Sequence, residues 1–239
     1  MMCNVQKNTN DPKQSRLMLT RLFGGFLLAT TLMTSCFAAA DIRSTANDFS
    51  DNPFIAIGVN PVTRVVTGYV SALRIVPGRT DVCKFVLRGA LTASGKVLLS
   101  VKDAVLENQN EGALDGKEFA ILTARQDTIQ IDLLNALAPG DCDWILGWAG
   151  GPNISANSKG YSLSVDARSK ADWIGVVVIR NKRAFFHNAP DSATVRKAFL
   201  VSGDVAYVIA EKTGWYHVRY THALKETVGW IKVSDTIQF

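Results

Sequence analysis

Apolar and polar residues alternate with a period of two along much of this chain, the spacing of half-buried β-strands. Thr128-Ile129-Gln130-Ile131-Asp132-Leu133 is the clearest instance, with Ile129, Ile131 and Leu133 on one face. Ile55–Val59, a longer run from Arg64 to Ile75 with a break at Gly68, Cys83–Leu87, Lys96–Val101, Glu118–Thr123, Cys142–Trp148 and Tyr161–Val165 continue the series. Turn pairs punctuate it: Asn60-Pro61, Pro77-Gly78, Pro139-Gly140 and Gly151-Pro152. Only Leu133–Ala138 offers a helical turn. Segments 108–112 and 155–160 read as exposed loops, Gly147–Pro152 as a flexible connection. Short strands at close spacing without a long amphipathic helix predict a β-sandwich over 41–168. The polar stretch Ala167–Ala171 marks its end.

A second pattern follows. Trp173–Ile179 is a continuous apolar run, expected of a strand buried on both faces. Ala184–Pro190, Phe199–Asp204, Val205–Ile209, Gly214–Val218 and Gly229–Ile231 come next. Gly203-Asp204 predicts a tight turn into a strand whose Val205, Tyr207 and Ile209 share a face. Lys212-Thr213-Gly214 predicts a hairpin, and Gly229 a close backbone approach before Trp230. Trp215, His217 and Arg219 alternate with Tyr216, Val218 and Tyr220.

The order of these elements, from Asn188-Ala189-Pro190 through Gly203-Asp204 and Gly214-Trp215 to Gly229-Trp230-Ile231, resembles the bacterial SH3-like domain over about 176–239. The resemblance implies a small β-barrel over 172–239 that binds peptidoglycan peptides or mediates protein contacts in the cell envelope. It departs from the family at Thr221–Glu226, read as a loop longer than the usual turn. The fold class expected is all-β, a disulfide-linked β-sandwich followed by a small SH3-like β-barrel. Aromatic side chains suit a peptide groove. The candidates are Tyr216, Tyr220, Trp215, Trp230 and Phe186, or its neighbour Phe185. At least one of Trp215 and Trp230 is expected in the barrel core, and with Trp215 facing in, Tyr216 and Tyr220 face outward.

The first 40 residues read as an export signal. Arg16 and Arg21 flank the apolar run Leu22–Ala29, and Ala38-Ala39-Ala40 suits cleavage before Asp41. Translation from Met18 in place of Met1 leaves a shorter, more typical leader. The run is too short and too rich in threonine for a membrane anchor, which needs about 20 apolar residues. Met33-Thr34-Ser35-Cys36 offers lipidation at Cys36 as an alternative, with Met where Leu is usual. Loss of Lys7, Lys13, Arg16, Arg21 and Asp11 lowers the net charge from +5 to +2. The basic balance thus belongs largely to the signal and gives no reason to expect a nucleic-acid partner. A periplasmic or secreted location follows.

Two cysteines then remain, Cys83 and Cys142. An even pair in an oxidising compartment predicts one disulfide, joining the strand at Cys83 to a strand beginning at Cys142. His187, His217 and His222 lack zinc-ligand spacing. Gly-x-Ser-x-Gly is absent, and a Cys–His dyad would have to span both domains. Asp141 and Asp143 flank Cys142 and offer a carboxylate pair for glycoside chemistry, though two aspartates after Pro-Gly are the pattern of turn residues. The expectation is therefore a non-enzymatic envelope protein with no cofactor and no metal. Its partner is a peptidoglycan peptide or an envelope or toxin protein. The alternatives are a periplasmic inhibitor or immunity protein, and a wall hydrolase that uses the barrel for targeting.

Overall fold

Strand-forming alternation over residues 45–166 produces one antiparallel sheet, nine-stranded among the described residues, in the order β1-β2-β3-β4-β5-β6-β7-β9-β8. The computed structural model describes residues 42–48, 50–92, 94–104, 119–125, 127–134, 142, 145–146, 154–157, 160–167 and 171–239. The strands are β1 (Thr45–Ala46), β2 (Phe54–Val59), β3 (Val65–Val76), β4 (Arg79–Leu91), β5 (Lys96–Asp103), β6 (Phe119–Arg125), β7 (Thr128–Leu133), β8 (Ile154–Asn157) and β9 (Gly160–Asp166). The sheet curls over its own core, so that β1 meets β9: the Thr45 hydroxyl donates to the Asp166 carbonyl at 2.6 Å. Its inner face is apolar at every second position, including Ile55 and Ile57, Phe85 and Leu87, Val97 and Leu99, Ile129 and Ile131, and Leu163.

β3 runs unbroken through Gly68, where a Cβ would meet the Ile57 side chain at 2.8 Å. Ile154–Asn157, which overlaps the segment 155–160 expected to be a loop, instead forms edge strand β8. Cys142, Ile145 and Leu146 have helical backbone and are buried in the inner core. The expected strand start at Cys142 is thus corrected. Adjacent Ile145 and Leu146 both bury their side chains in that core, which helical backbone permits and a strand, with successive side chains on opposite faces, does not. Cys83 and Cys142 are bonded, with Cα atoms 4.9 Å apart, which ties this segment to β4. Their separation of 59 positions corresponds to about 4 kcal/mol in the chain-entropy account. The helical turn over Leu133–Ala138, the loops at 108–112 and Gly147–Pro152, and Asp141 and Asp143 fall largely or wholly outside the described residues.

The remaining strands form a six-stranded sheet in the order β10-β13-β14-β15-β11-β12. They are β10 (Gly175–Val178), β11 (Arg183–His187), β12 (Val195–Val201), β13 (Val205–Lys212), β14 (Trp215–His222) and β15 (Lys225–Lys232). The sheet rolls into a small barrel. Ile179 bridges to Thr236, and the Ile237 amide donates to the Val178 carbonyl at 2.9 Å. Ala184, Phe186, Leu200, Val208, Val218 and Ile231 fill its interior.

β10 is buried on both faces, as its unbroken apolar run predicts. Val177 and Ile179 enter the barrel core. Val176 and Val178 enter a third cluster with Phe54, Ala56, Tyr69 and Val86 from the outer face of the first sheet. This shared cluster docks the two sheets. The Val176 amide donates to the Thr67 hydroxyl at 2.8 Å, and the Trp173 indole N–H to the Ile57 carbonyl at 3.0 Å. The backbones come so close that a Cβ on Gly58 would lie 2.3 Å from the Gly175 Cα. Residues 38–239 accordingly form one compact unit. Among the described residues no helix is long and apolar enough to cross a membrane.

Candidate functional site

The side of β3 and β4 that faces away from the inner core is only partly covered by the barrel. Beyond the docking contact it opens into a cleft of ≈ 1070 Å³. Phe54 and Tyr69 form its floor, their rings 6.1 Å apart, with Ser71 and Lys84 beside them. Burial raises the Tyr69 phenol above its ordinary range, partly offset by a hydrogen bond with Ser71. Leu73 and Ile75 line one wall and are exposed, Ile75 at 76%. Loop residues Ser50–Asn52 make the rim. The Asn52 side chain pairs with the backbone of Leu73: its amide donates to the carbonyl at 2.7 Å, and its oxygen accepts from the N–H at 2.9 Å. The rim is thus clamped to the wall.

The barrel supplies the opposite wall. The Tyr220 hydroxyl donates to Asp204 Oδ1 at 2.9 Å, while Asp204 Oδ2 accepts from the Val201 amide at 2.8 Å. Burial, then the bond to Asp204 and its negative charge, push the Tyr220 phenol up to about 12. The neighbouring turn of β14–β15 ends the wall. Thr221–Glu226 is no long loop. Both strands continue, paired through His222↔Lys225, and only Ala223 and Leu224 form the turn. Both have positive φ, 45° and 66°, at positions where hairpins of this kind use Asn-Gly. Leu224 at the tip is fully exposed.

The other aromatic candidates lie elsewhere. Phe186 is 1% exposed in the barrel core and presents no surface to a ligand. Tyr216 and Tyr220 share the inward side of β14 with Val218, and both pack against the barrel core. Trp215, His217 and Arg219 take the outward side. This reverses the expected parity, because the inward choice for Trp215 would have taken the Arg219 guanidinium into the barrel with it. Tyr216 is drawn into the junction with the first sheet, where burial and Glu211 raise its phenol and Arg88 opposes them. Trp230 lies directly opposite His217 and stacks on it at 4.7 Å. Trp215 meets His187 edge-on at 4.8 Å. Trp215 and Trp230 therefore belong to one outward aromatic face, and only Tyr220 of the predicted set reaches the cleft.

Leu224, Leu73, Ile75 and the Phe54–Tyr69 floor were not anticipated. The positive-φ turn had no sequence signal, because Ala-Leu is not a turn pair. Among the described residues no group of three or more His, Cys, Asp or Glu side chains is placed to hold a metal. Comparison with protein-family models, curated proteins and solved structures finds no match to the chain.

Proposed function

We propose that this chain is a non-enzymatic, exported binding protein of the bacterial envelope, which grips an apolar segment of a protein partner in the cleft between its two sheets. The observation that carries the proposal is the cleft itself: concave, largely apolar, and flanked by exposed Leu73, Ile75 and Leu224. Exposed apolar side chains grouped around a concavity are typical of interaction sites. A polar wall peptide would gain little from them. The resemblance of 176–239 to SH3-like domains supports peptide or protein binding by the barrel, whose Asp204, Tyr220 and hairpin form one wall. The Cys83–Cys142 bond supports a periplasmic or secreted location, since such bonds persist in oxidising compartments. That same bond leaves neither cysteine free as a nucleophile.

The test is cross-linking of the full chain in the periplasm, with mass spectrometry of captured proteins, followed by binding measurements with the purified partner. Ile75→Asp and Leu224→Asp are expected to weaken that complex at least roughly tenfold each, as central apolar anchors do. Full retention by both variants, or co-sedimentation with purified wall sacculi and no captured protein, would overturn the reading. The projecting, fully exposed Leu224 favours a second reading, a periplasmic inhibitor or immunity protein that inserts the hairpin tip into a toxin or wall hydrolase. Loss of the partner's activity in the complex would distinguish it.

A further inference from the structure

The outward face of the barrel, on the side of β12, has a different chemistry from the cleft. Cross-strand register aligns its side chains in rows. Val195, His187, Trp230 and His217 lie opposite one another in turn across β12, β11, β15 and β14. A second row runs Lys212–Trp215–Lys232 across β13, β14 and β15. A third pairs Phe185 with Phe199, whose rings meet edge-on at 5.6 Å. Cations cover these rings: the Arg183 guanidinium lies 4.8 Å from the Phe199 centroid, and the Lys232 ammonium 5.8 Å from that of Trp215. β11, β12 and β14 contain no carboxylate, and Glu226 of β15 sits at the far end against Arg219.

β12 is also an edge of the sheet. At its end the chain turns back on it: Asp204 accepts from the Val201 amide and donates its own amide to the Val201 carbonyl at 3.0 Å, so the open stretch of edge lies before Val201. Upstream, only β11 pairs with it among the described strands. Val195, Phe199 and Val201 are nonetheless exposed. Natural edge strands are blunted by bulges, prolines or charge. Here Lys197 is the one charge on that side of β12, and hydrophobic side chains flank it.

We propose that the β12 edge and the cationic, aromatic face beside it form a docking surface for an extended, acidic polypeptide segment. The incoming strand pairs its backbone with β12 and sets its carboxylates against Lys197 and Arg183. The aliphatic stems of those acidic side chains lie along Phe199 and Val195, which share the Lys197 face, while the alternate side chains turn to the opposite face. The cations select an acidic ligand. The open backbone edge selects a polypeptide over a nucleic acid or a polysaccharide, because only a polypeptide can continue the ladder. The surface lies apart from the cleft and uses none of its residues, so the two readings stand or fall separately.

Fluorescence anisotropy on the full mature chain tests this, with a short labelled peptide of alternating Glu and Val as probe. Binding is expected, weakening as salt rises from ~50 to ~300 mM. Arg183→Glu and Lys197→Glu are exposed changes expected to leave the melting temperature unaltered while each weakens binding roughly tenfold. A peptide of the same charge with proline at every second valine should fail to bind, since it cannot continue a ladder. Equal binding by the proline peptide, by a Lys-Val peptide, or by a short oligothymidylate would overturn the proposal. So would an unchanged affinity in both charge-reversed variants.

Discussion

His217 is a barrel side chain whose ionisation burial opposes near neutral pH. It lies half-buried, stacked on Trp230, and burial holds its imidazole below the ordinary value of 6.5. The folded chain therefore takes up a proton at this site less readily than the unfolded chain does. The contribution of neutral His217 to stability is complete above pH ~6.5 and is lost as pH falls through the lower folded value. Urea denaturation between pH 7 and pH 5 is expected to show a falling stability that His217→Gln partly flattens; parallel profiles for the two proteins would contradict this. Alternation along β14 is legible from the sequence, but its direction is not legible from the size of Trp215 alone. The pair Val218 and Arg219 held the answer, since burying a valine is favourable and burying a guanidinium is not.

The β14–β15 hairpin shows what an element can hold against local preference. Ala223 and Leu224 both occupy the left-handed region, which costs a residue with a Cβ about 1–2 kcal/mol. Replacing the pair by Asn-Gly should raise thermal stability by about 1–2 kcal/mol while weakening partner capture through loss of the Leu224 side chain. A variant stabilised with undiminished capture would remove the hairpin tip from the site. Most strands were legible because their alternation is locally complete, as over β7, whose bounds the pattern located to the residue. The plug at Cys142, Ile145 and Leu146 was not. A short apolar run fits a strand or a buried helical turn equally well, and the choice depends on the shape of the gap it fills.

At the scale of the molecule, docking of the barrel onto the first sheet depends on two glycines that no strand pattern identifies. A methyl group at Gly58 would collide with the Gly175 backbone, so Gly58→Ala should force the sheets apart at a cost of about 2–3 kcal/mol. Calorimetry is expected to show one transition for the native chain and two for the variant. A single unshifted transition would mean that the contact contributes nothing. The sequence by itself determined the all-β class, the disulfide partners, most strands and the burial of β10 on both faces, because each depends on residue type and spacing within a few positions. The cleft, the cationic face and the reversal at β14 were decided only by tertiary structure. The cleft joins Leu73 and Ile75 to Tyr220 and Leu224, segments separated by most of the chain, and the charged face arises from register among five strands. Period-two alternation says that a strand has two faces; which neighbour each face meets depends on how the sheets curl and dock.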